Sequence, residues 1–169
     1  MANTYAAFLI ALRMAESGGD YQAVNTLNFI GAYQFGEAAL IDLGYVRSDN
    51  DVYNNDFSGG WTGKNGIRSI QAFLEDEREQ DRAAKQWMGV MWSYIEYYDI
   101  DGYAWETVGE TQLTTSGMLA AAHLLGAGAL KEYIESNGRR DLRDPYGMPI
   151  SVYMAKLDGF DVPFGPDET

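Results

Sequence analysis

The segment 114–127 constrains the fold most, because a helix built from it is apolar on almost every side. Its methionine, leucines and consecutive alanines leave no polar stripe to face water. A helix that is hydrophobic all round is buried by other elements of a domain. The segment is shorter than the roughly 18 apolar residues of a membrane span. It therefore predicts a buried central helix in a mainly α-helical fold.

Hydrophobic periodicity predicts the other elements. We expect a first helix over 4–16, a short one over 37–43, two helices within 67–98 that meet near 75–78, one or two turns over 130–136 and a last short helix over 149–157. We expect segment 29–35 to form a short strand or an irregular loop, and segment 45–66 to form an ordered surface loop. The prediction is one domain over 1–169, with about six to eight helices and at most a small β-hairpin or irregular loop beside a cleft.

Composition excludes several classes of function. The chain has no cysteine and one histidine, so thiolate chemistry, disulfides and multi-histidine metal sites are excluded, and we expect no metal and no cofactor. Twelve basic against 25 acidic residues give a net charge of −13. That charge repels nucleic acid and anionic lipid, so neither is an expected partner. The N-terminus lacks the basic region of a signal peptide, and no segment predicts a membrane span.

One carboxylate falls on the apolar face of the first predicted helix. Tyr5, Phe8, Leu9 and Leu12 occupy positions i, i+3, i+4 and i+7, and Glu16 follows four residues later. Partial burial and the negative end of the helix dipole both penalise an ionised side chain there. We expect a pKa above about 4.3, as a general acid requires. The alternative is a terminal glutamate that turns to solvent.

Three motifs occur in a familiar order: Glu16-Ser17, then Gly-Ala-Tyr-Gln-Phe at 31–35, then Ala-His-Leu-Leu-Gly-Ala-Gly at 122–128. This order resembles the lysozyme-like superfamily, in particular soluble lytic transglycosylases and phage muramidases. The resemblance implies cleavage of the MurNAc–GlcNAc bond of peptidoglycan, with Glu16 as general acid and base. It also implies substrate contacts from Ser17, Gly31 and Gln34. A glycine lets backbone approach a sugar closely, and an amide both donates and accepts hydrogen bonds.

The third motif departs from the family pattern. His123 stands where the family has tyrosine, and Leu124 where it has asparagine. His123 is still a candidate substrate contact, with a packed or hydrogen-bonded core residue as the alternative. Tyr153 is the nearest match to the family's late tyrosine.

Aromatic side chains bind the apolar faces of sugar rings. Tyr33, Trp61 and Tyr103 fall in predicted loops and are candidates for this role, whereas Trp87 and Trp92 lie on a helical stripe and are expected in the core.

The second carboxylate that a glycoside hydrolase uses is not marked by any pattern. Asp20, Asp49, Asp51 and Asp56 are the candidates, and a surface position is the alternative for each. A lytic transglycosylase, as the resemblance implies, needs only one glutamate, because the sugar's own 6-hydroxyl attacks. The sequence therefore favours the single-glutamate reaction.

The strong acidity suggests delivery by an assembly or action in high salt. We expect a phage product that acts on the glycan strand of peptidoglycan, either a free endolysin or a virion-associated lysin that contacts virion or tail proteins. Its expected location is the virion or the host cytoplasm, with delivery to the periplasm or cell wall. The alternatives are a non-catalytic structural or carbohydrate-binding virion component on the same scaffold, and a chitin- or chitosan-cleaving enzyme.

Overall fold

Helices make up most of the regular structure in the computed structural model, which describes residues 3–166. The helices are α1 (Tyr5–Ser17), α2 (Glu37–Asp42), α3 (Ile70–Glu75), α4 (Glu77–Tyr97), α5 (Thr115–Leu125), α6 (Ala127–Glu135) and α7 (Ile150–Lys156). One antiparallel hairpin joins β1 (Thr107–Val108) to β2 (Thr111–Gln112), and short 3-10 helices cover Lys64–Gly66 and Asp101–Tyr103. A mainly α-helical fold with a small hairpin is confirmed.

Helix α1 begins and ends where its sequence predicts. The Thr4 hydroxyl accepts the backbone N–H three residues later at 3.1 Å, which caps the first turn. Gly18 and Gly19 both take positive φ, and the Gly19 N–H donates to the Arg13 carbonyl at 3.1 Å. Left-handed glycines of this kind satisfy the last carbonyls of a helix and stop it.

The charged run after residue 74 separates two helices, as predicted. The Asp76 N–H donates to the Phe73 carbonyl at 3.2 Å and ends α3, while the Asp76 carboxylate accepts the Glu79 N–H at 3.0 Å. One residue thus ends α3 and caps α4. Further along α4, Trp87 and Trp92 are buried, which confirms their expected place in the core.

Helix α5 is the buried element that its composition predicts. All residues from Thr115 to Ala122 are buried, and α5 packs against both α6 and α7. The Thr114 hydroxyl accepts the Gly117 N–H at 3.1 Å and caps its first turn.

The chain divides into two compact units. The loop-rich unit is Leu9–Trp87, and the helical unit consists of the described residues up to Phe8 and from Met88 onward. Segment 29–35 lies in the loop-rich unit as a turn, in which Ile30 makes single bridges to Val24 and Phe35. The loop expected over 45–66 is confirmed up to residue 63, and the 3-10 helix Lys64–Gly66 follows it. None of the helices within residues 3–166 has the length and apolar character needed to cross a membrane.

Candidate active site and acidic cluster

The end of α1 is tied to the turn at 31–34. The Ser17 hydroxyl donates to the Ala32 carbonyl at 2.7 Å and lies 3.2 Å from the Arg13 carbonyl. Glu16, the residue before it, is half-buried on the last turn of α1. The first two motifs of the sequence are therefore in direct contact, although 15 residues separate them.

Gly31 is required by the packing of the turn itself. Its φ is +80°, and a Cβ built on it would lie 2.4 Å from Oε1 of Gln80. Its N–H donates to the Ala23 carbonyl at 2.7 Å. A side chain here would meet both backbone strain and a steric clash.

The buried amide of Gln80 holds this turn in place. Its Oε1 accepts the Ala32 N–H at 2.9 Å, and its Nε2 donates to the carbonyls of Tyr21 and Phe73, both at 2.9 Å. The residue is fully buried. One side chain thus binds backbone groups from three separate stretches of chain and provides the partner of the Ala32 N–H and the Tyr21 carbonyl, while the Phe73 carbonyl also accepts the Asp76 N–H.

A second group of side chains surrounds the carboxylate of Asp81. Its Oδ1 accepts the hydroxyls of Tyr33 at 2.7 Å and Tyr21 at 2.9 Å, and Arg13 lies 3.7 Å away. Burial, with the neighbouring Asp81 carboxylate, raises the pKa of Tyr33, so its hydroxyl stays a donor. Arg13 is one turn before Glu16 on α1. These contacts fix the helix end that carries the candidate acid.

Two of the predicted sugar contacts have other partners. Tyr33 is 1% exposed and packs beside Phe35, so its ring is not open to a sugar, and its prediction as a sugar-binding aromatic is wrong. Tyr33 does lie in a loop, as predicted, but the loop folds so that the ring is buried. Gln34 has φ +54°, and its Nε2 donates to the Gly31 carbonyl at 2.9 Å. The Gln34 amide thus stabilises its own turn.

Four further residues were predicted from the sequence as substrate contacts. His123 is half-buried on α5 and Tyr153 is buried on α7, both within the helical unit. Tyr103 is exposed in a 3-10 helix. Trp61 is half-buried, with its ring stacked on Phe57 at 6.1 Å between centroids, so it belongs to an aromatic cluster of the loop-rich unit.

Sequence reasoning missed the residues that hold the turn. Gln80 could have been found, because it stands four residues before Ala84 and eight before Met88 and so continues the buried stripe of α4. A polar residue on such a stripe indicates a specific buried partner. Asp81 and Arg13 carry no comparable signal, since charged residues on a helix are usually solvated.

A separate group of three carboxylates forms an acidic cluster at the start of α2. Glu37, Asp49 and Asp56 each place one oxygen within 4.8 Å of the others. Burial, and then the nearby Asp49 and Asp56, raise the pKa of Glu37 to about 7. Hydrogen bonds from the Ser58 hydroxyl and the Asp51 backbone N–H lower the pKa of Asp49 to about 2. By its donor chemistry, the cluster suits a cation.

No protein-family model matches this chain, and neither the curated proteins nor the solved structures contain a match. Membership of the lysozyme-like superfamily therefore stays a prediction. It rests on the order of the three motifs in the sequence.

Proposed function

We propose that the chain is a peptidoglycan-degrading enzyme that cleaves the MurNAc–GlcNAc bond, with Glu16 as its general acid and base. The observation that carries the proposal is the hydrogen bond from Ser17 to the Ala32 carbonyl. It joins the helix end that bears the candidate acid to the turn that bears Gly31 and Gln34. An enzyme of this class needs such a contact to hold its acid beside the turn that contacts the substrate.

The proposed reaction uses one glutamate twice. Protonated Glu16 gives its proton to the glycosidic oxygen as the bond from that oxygen to C1 of MurNAc breaks. The 6-hydroxyl oxygen of the same MurNAc then bonds to C1 and returns its proton to the Glu16 carboxylate. The product is a 1,6-anhydro ring, and the enzyme recovers its starting state without water or a second carboxylate.

The residues around the turn act as positioning residues in this proposal. Gln80 fixes the backbone at Ala32, and Asp81 fixes Arg13 and Tyr33 by the contacts given above. None of them needs to touch the sugar. Their effect is to limit the motion of the Glu16 carboxyl, because displacement of a catalytic group by about 1 Å can cost two orders of magnitude in rate.

We also propose that the enzyme is a phage product, either an endolysin or a lysin carried in the virion. The charge of −13 is the supporting observation, since free diffusion toward an anionic wall is opposed by repulsion. The glycan strand is the substrate, and virion or tail proteins are the proposed partners. The proposed site of action is the cell wall or periplasm.

Clearing of purified cell walls tests the role of Glu16. We expect Glu16→Gln to lower the rate of turbidity loss at least about 100-fold, because it cannot supply a proton. The matched control is Glu75→Gln, since Glu75 is also at the end of a helix, is exposed and only accepts from the Gln71 amide at 2.6 Å. Equal clearing by wild type and Glu16→Gln would remove Glu16 from the mechanism.

Mass spectrometry of the released glycans separates the remaining alternatives. Ends with 1,6-anhydro MurNAc support the transglycosylase reaction, whereas reducing ends indicate a hydrolase with a second carboxylate. Cleavage of chitin or chitosan in place of cell walls reassigns the substrate. Binding to walls without any product from wild type favours the non-catalytic component.

A further inference from the structure

The acidic cluster of Glu37, Asp49 and Asp56 combines a buried carboxylate with two carboxylates of a surface loop. Glu37 is the first residue of α2, and the other two lie seven residues apart in the loop at 45–66. One oxygen from each lies within 4.8 Å of the other two. Three formal negative charges therefore converge on one point in the loop-rich unit.

Burial of the Glu37 carboxylate is poorly compensated, although the backbone of Phe57 acts to lower its pKa. Its exposed fraction is 0%, and neither carboxylate oxygen has a hydrogen-bond partner in the structure. An ionised carboxylate without water or a donor is strongly disfavoured. Its place beside two other carboxylates adds repulsion to that cost. A positive group in the cluster would remove both penalties.

The two aspartates are held as acceptors. Asp49 accepts the Ser58 hydroxyl at 2.7 Å and the Asp51 N–H at 2.9 Å. Asp56 accepts the Ser58 N–H at 2.9 Å and the Asn54 side-chain amide at 3.1 Å. The hydrogen bonds to Asp49 lower its pKa to about 2 and favour its ionised form. The loop thus holds the carboxylates of both aspartates in place beside Glu37.

The backbone around Glu37 is fixed as well. The Asn55 side chain accepts the Glu37 N–H at 2.8 Å and donates to the Leu27 carbonyl at 2.9 Å. Asn55 is buried with φ +54°, so the loop turns at this residue and leaves Asp56 next to it. The start of α2 and the loop are therefore joined before any ion binds, and the cluster is largely preformed.

We propose that Glu37, Asp49 and Asp56 form a binding site for a calcium ion. Only oxygen donors are present, which selects a hard cation over zinc or copper. Calcium–oxygen distances of about 2.3–2.6 Å allow two ligands of one ion to lie up to about 5 Å apart. The spacing of the three oxygens falls within that limit. The proposal does not depend on cell-wall cleavage.

Calorimetric titration of the chelator-treated full chain with calcium chloride tests this site. We expect one ion per chain, with a Kd below about 10⁻³ M, and weaker binding of magnesium. Glu37→Gln and Asp56→Asn should each weaken calcium binding at least tenfold. The matched control is Asp51→Asn, which removes one charge from the same loop at an exposed residue outside the cluster and should keep its affinity within about threefold.

Thermal unfolding gives a second, independent readout. Calcium should raise the Tm of wild type and of Asp51→Asn, and chelator should reverse the rise, because a ligand that binds only the folded state stabilises it. Glu37→Gln keeps the shape of the side chain and removes its charge, so it should fold and show little response to calcium. No binding by folded wild type, equal binding by Glu37→Gln, or a preference for magnesium contradicts the proposal. The first of these outcomes would indicate that Glu37 holds a proton instead.

Discussion

Buried polar side chains differ in kind between the two units. In the loop-rich unit the buried polar residues are amides and carboxylates, namely Asn55, Gln80, Glu37 and Glu79. In the helical unit they are three consecutive hydroxyl residues at the start of α5, namely Thr114, Thr115 and Ser116. The first group uses long side chains to contact distant stretches of chain, whereas Thr114 caps α5 and, with Ser116, also binds the backbone between Leu157 and Phe160.

This difference follows from how each unit provides hydrogen-bond partners for its backbone N–H and C=O groups. Helices α5, α6 and α7 pair most of their own N–H and C=O groups, so short hydroxyls suffice at their ends. The turns at 18–36 have no such ladder and need long polar side chains from elsewhere. Gln80, for example, reaches Ala32 across 48 residues of sequence. The comparison teaches that the loop-rich unit depends on a few buried contacts, and the candidate acid lies among them.

The largest expected effect is that of Gln80→Leu. It leaves the Ala32 N–H and the Tyr21 carbonyl without these partners and removes one of the hydrogen bonds to the Phe73 carbonyl, so the free energy of unfolding should fall by about 3 kcal/mol or more. Urea unfolding measures this loss, and faster hydrogen exchange at Ala32 locates it. The matched control is Gln86→Leu on the exposed side of α4, with an expected change within about 0.5 kcal/mol. Similar losses of unfolding free energy for Gln80→Leu and Gln86→Leu would contradict the claim that the loop-rich unit depends on a few buried contacts.

Gly31→Ala should rank next. The substitution combines a positive φ with a contact of 2.4 Å to the Gln80 amide, so we expect a loss of about 2–4 kcal/mol in unfolding free energy. Gly66→Ala has φ +84° but no atom within 4 Å of the new Cβ, and should cost only about 1 kcal/mol. Chemical denaturation of both variants separates crowding from backbone strain. Equal losses of unfolding free energy for Gly31→Ala and Gly66→Ala would show that the Gln80 side chain moves aside at little cost.

Loss of the Thr114 hydroxyl probes the helical unit. The Thr114 hydroxyl accepts the N–H groups of Gly117 at 3.1 Å and Gly159 at 3.2 Å. Thr114→Ala should therefore lower the free energy of unfolding by about 1.5 kcal/mol. Thr114→Ser should recover most of that loss. Ser69 caps α3 at an exposed position through one contact with the Ala72 N–H, and Ser69→Ala should cost about 0.5–1 kcal/mol. Thermal unfolding ranks the three variants, and a larger loss for Ser69→Ala would contradict the expected order.

Tyr33→Phe should have the smallest effect on stability among the variants that are not controls. It removes one of two hydroxyls that donate to Asp81, and Tyr21 remains, so we expect a loss of about 1 kcal/mol. If the proposed function is right, the rate of wall clearing should fall more than stability explains, because Arg13 loses a neighbour. A clearing rate equal to that of wild type would show that the contacts of Tyr33 with Asp81 and Arg13 have only a structural role.

Helix boundaries were predictable because their signals are local. Thr4, the two glycines after α1, and Thr114 mark starts and stops within a few residues of sequence. The turn at 31–34 was not predictable in detail, because its shape depends on Gln80, a residue of another helix. The burial of Tyr33 was not predictable for the same reason, because distant partners decide whether a loop residue is buried.

The acidic cluster was the least predictable feature. Glu37 has the sequence of an ordinary acidic residue in the first turn of a helix, where exposure is the usual outcome. The sequence marks Asp49 and Asp56 only as candidates for the second carboxylate of a hydrolase. Only the folded loop brings them to Glu37, through the contact of Asn55 with the α2 backbone. A long-range arrangement of this kind leaves no periodic signal.

The hydrogen bond between Ser17 and the Ala32 carbonyl has a pharmacological consequence. A hydroxyl whose proton is committed to a backbone oxygen has no adjacent base to ionise it, and so it makes a poor nucleophile. Sulfonyl fluorides and other serine-directed reagents should leave the protein unmodified at this residue. If the proposed function is right, a covalent inhibitor should instead carry an electrophile, such as a glycosidic epoxide, that reacts with the carboxyl group of Glu16.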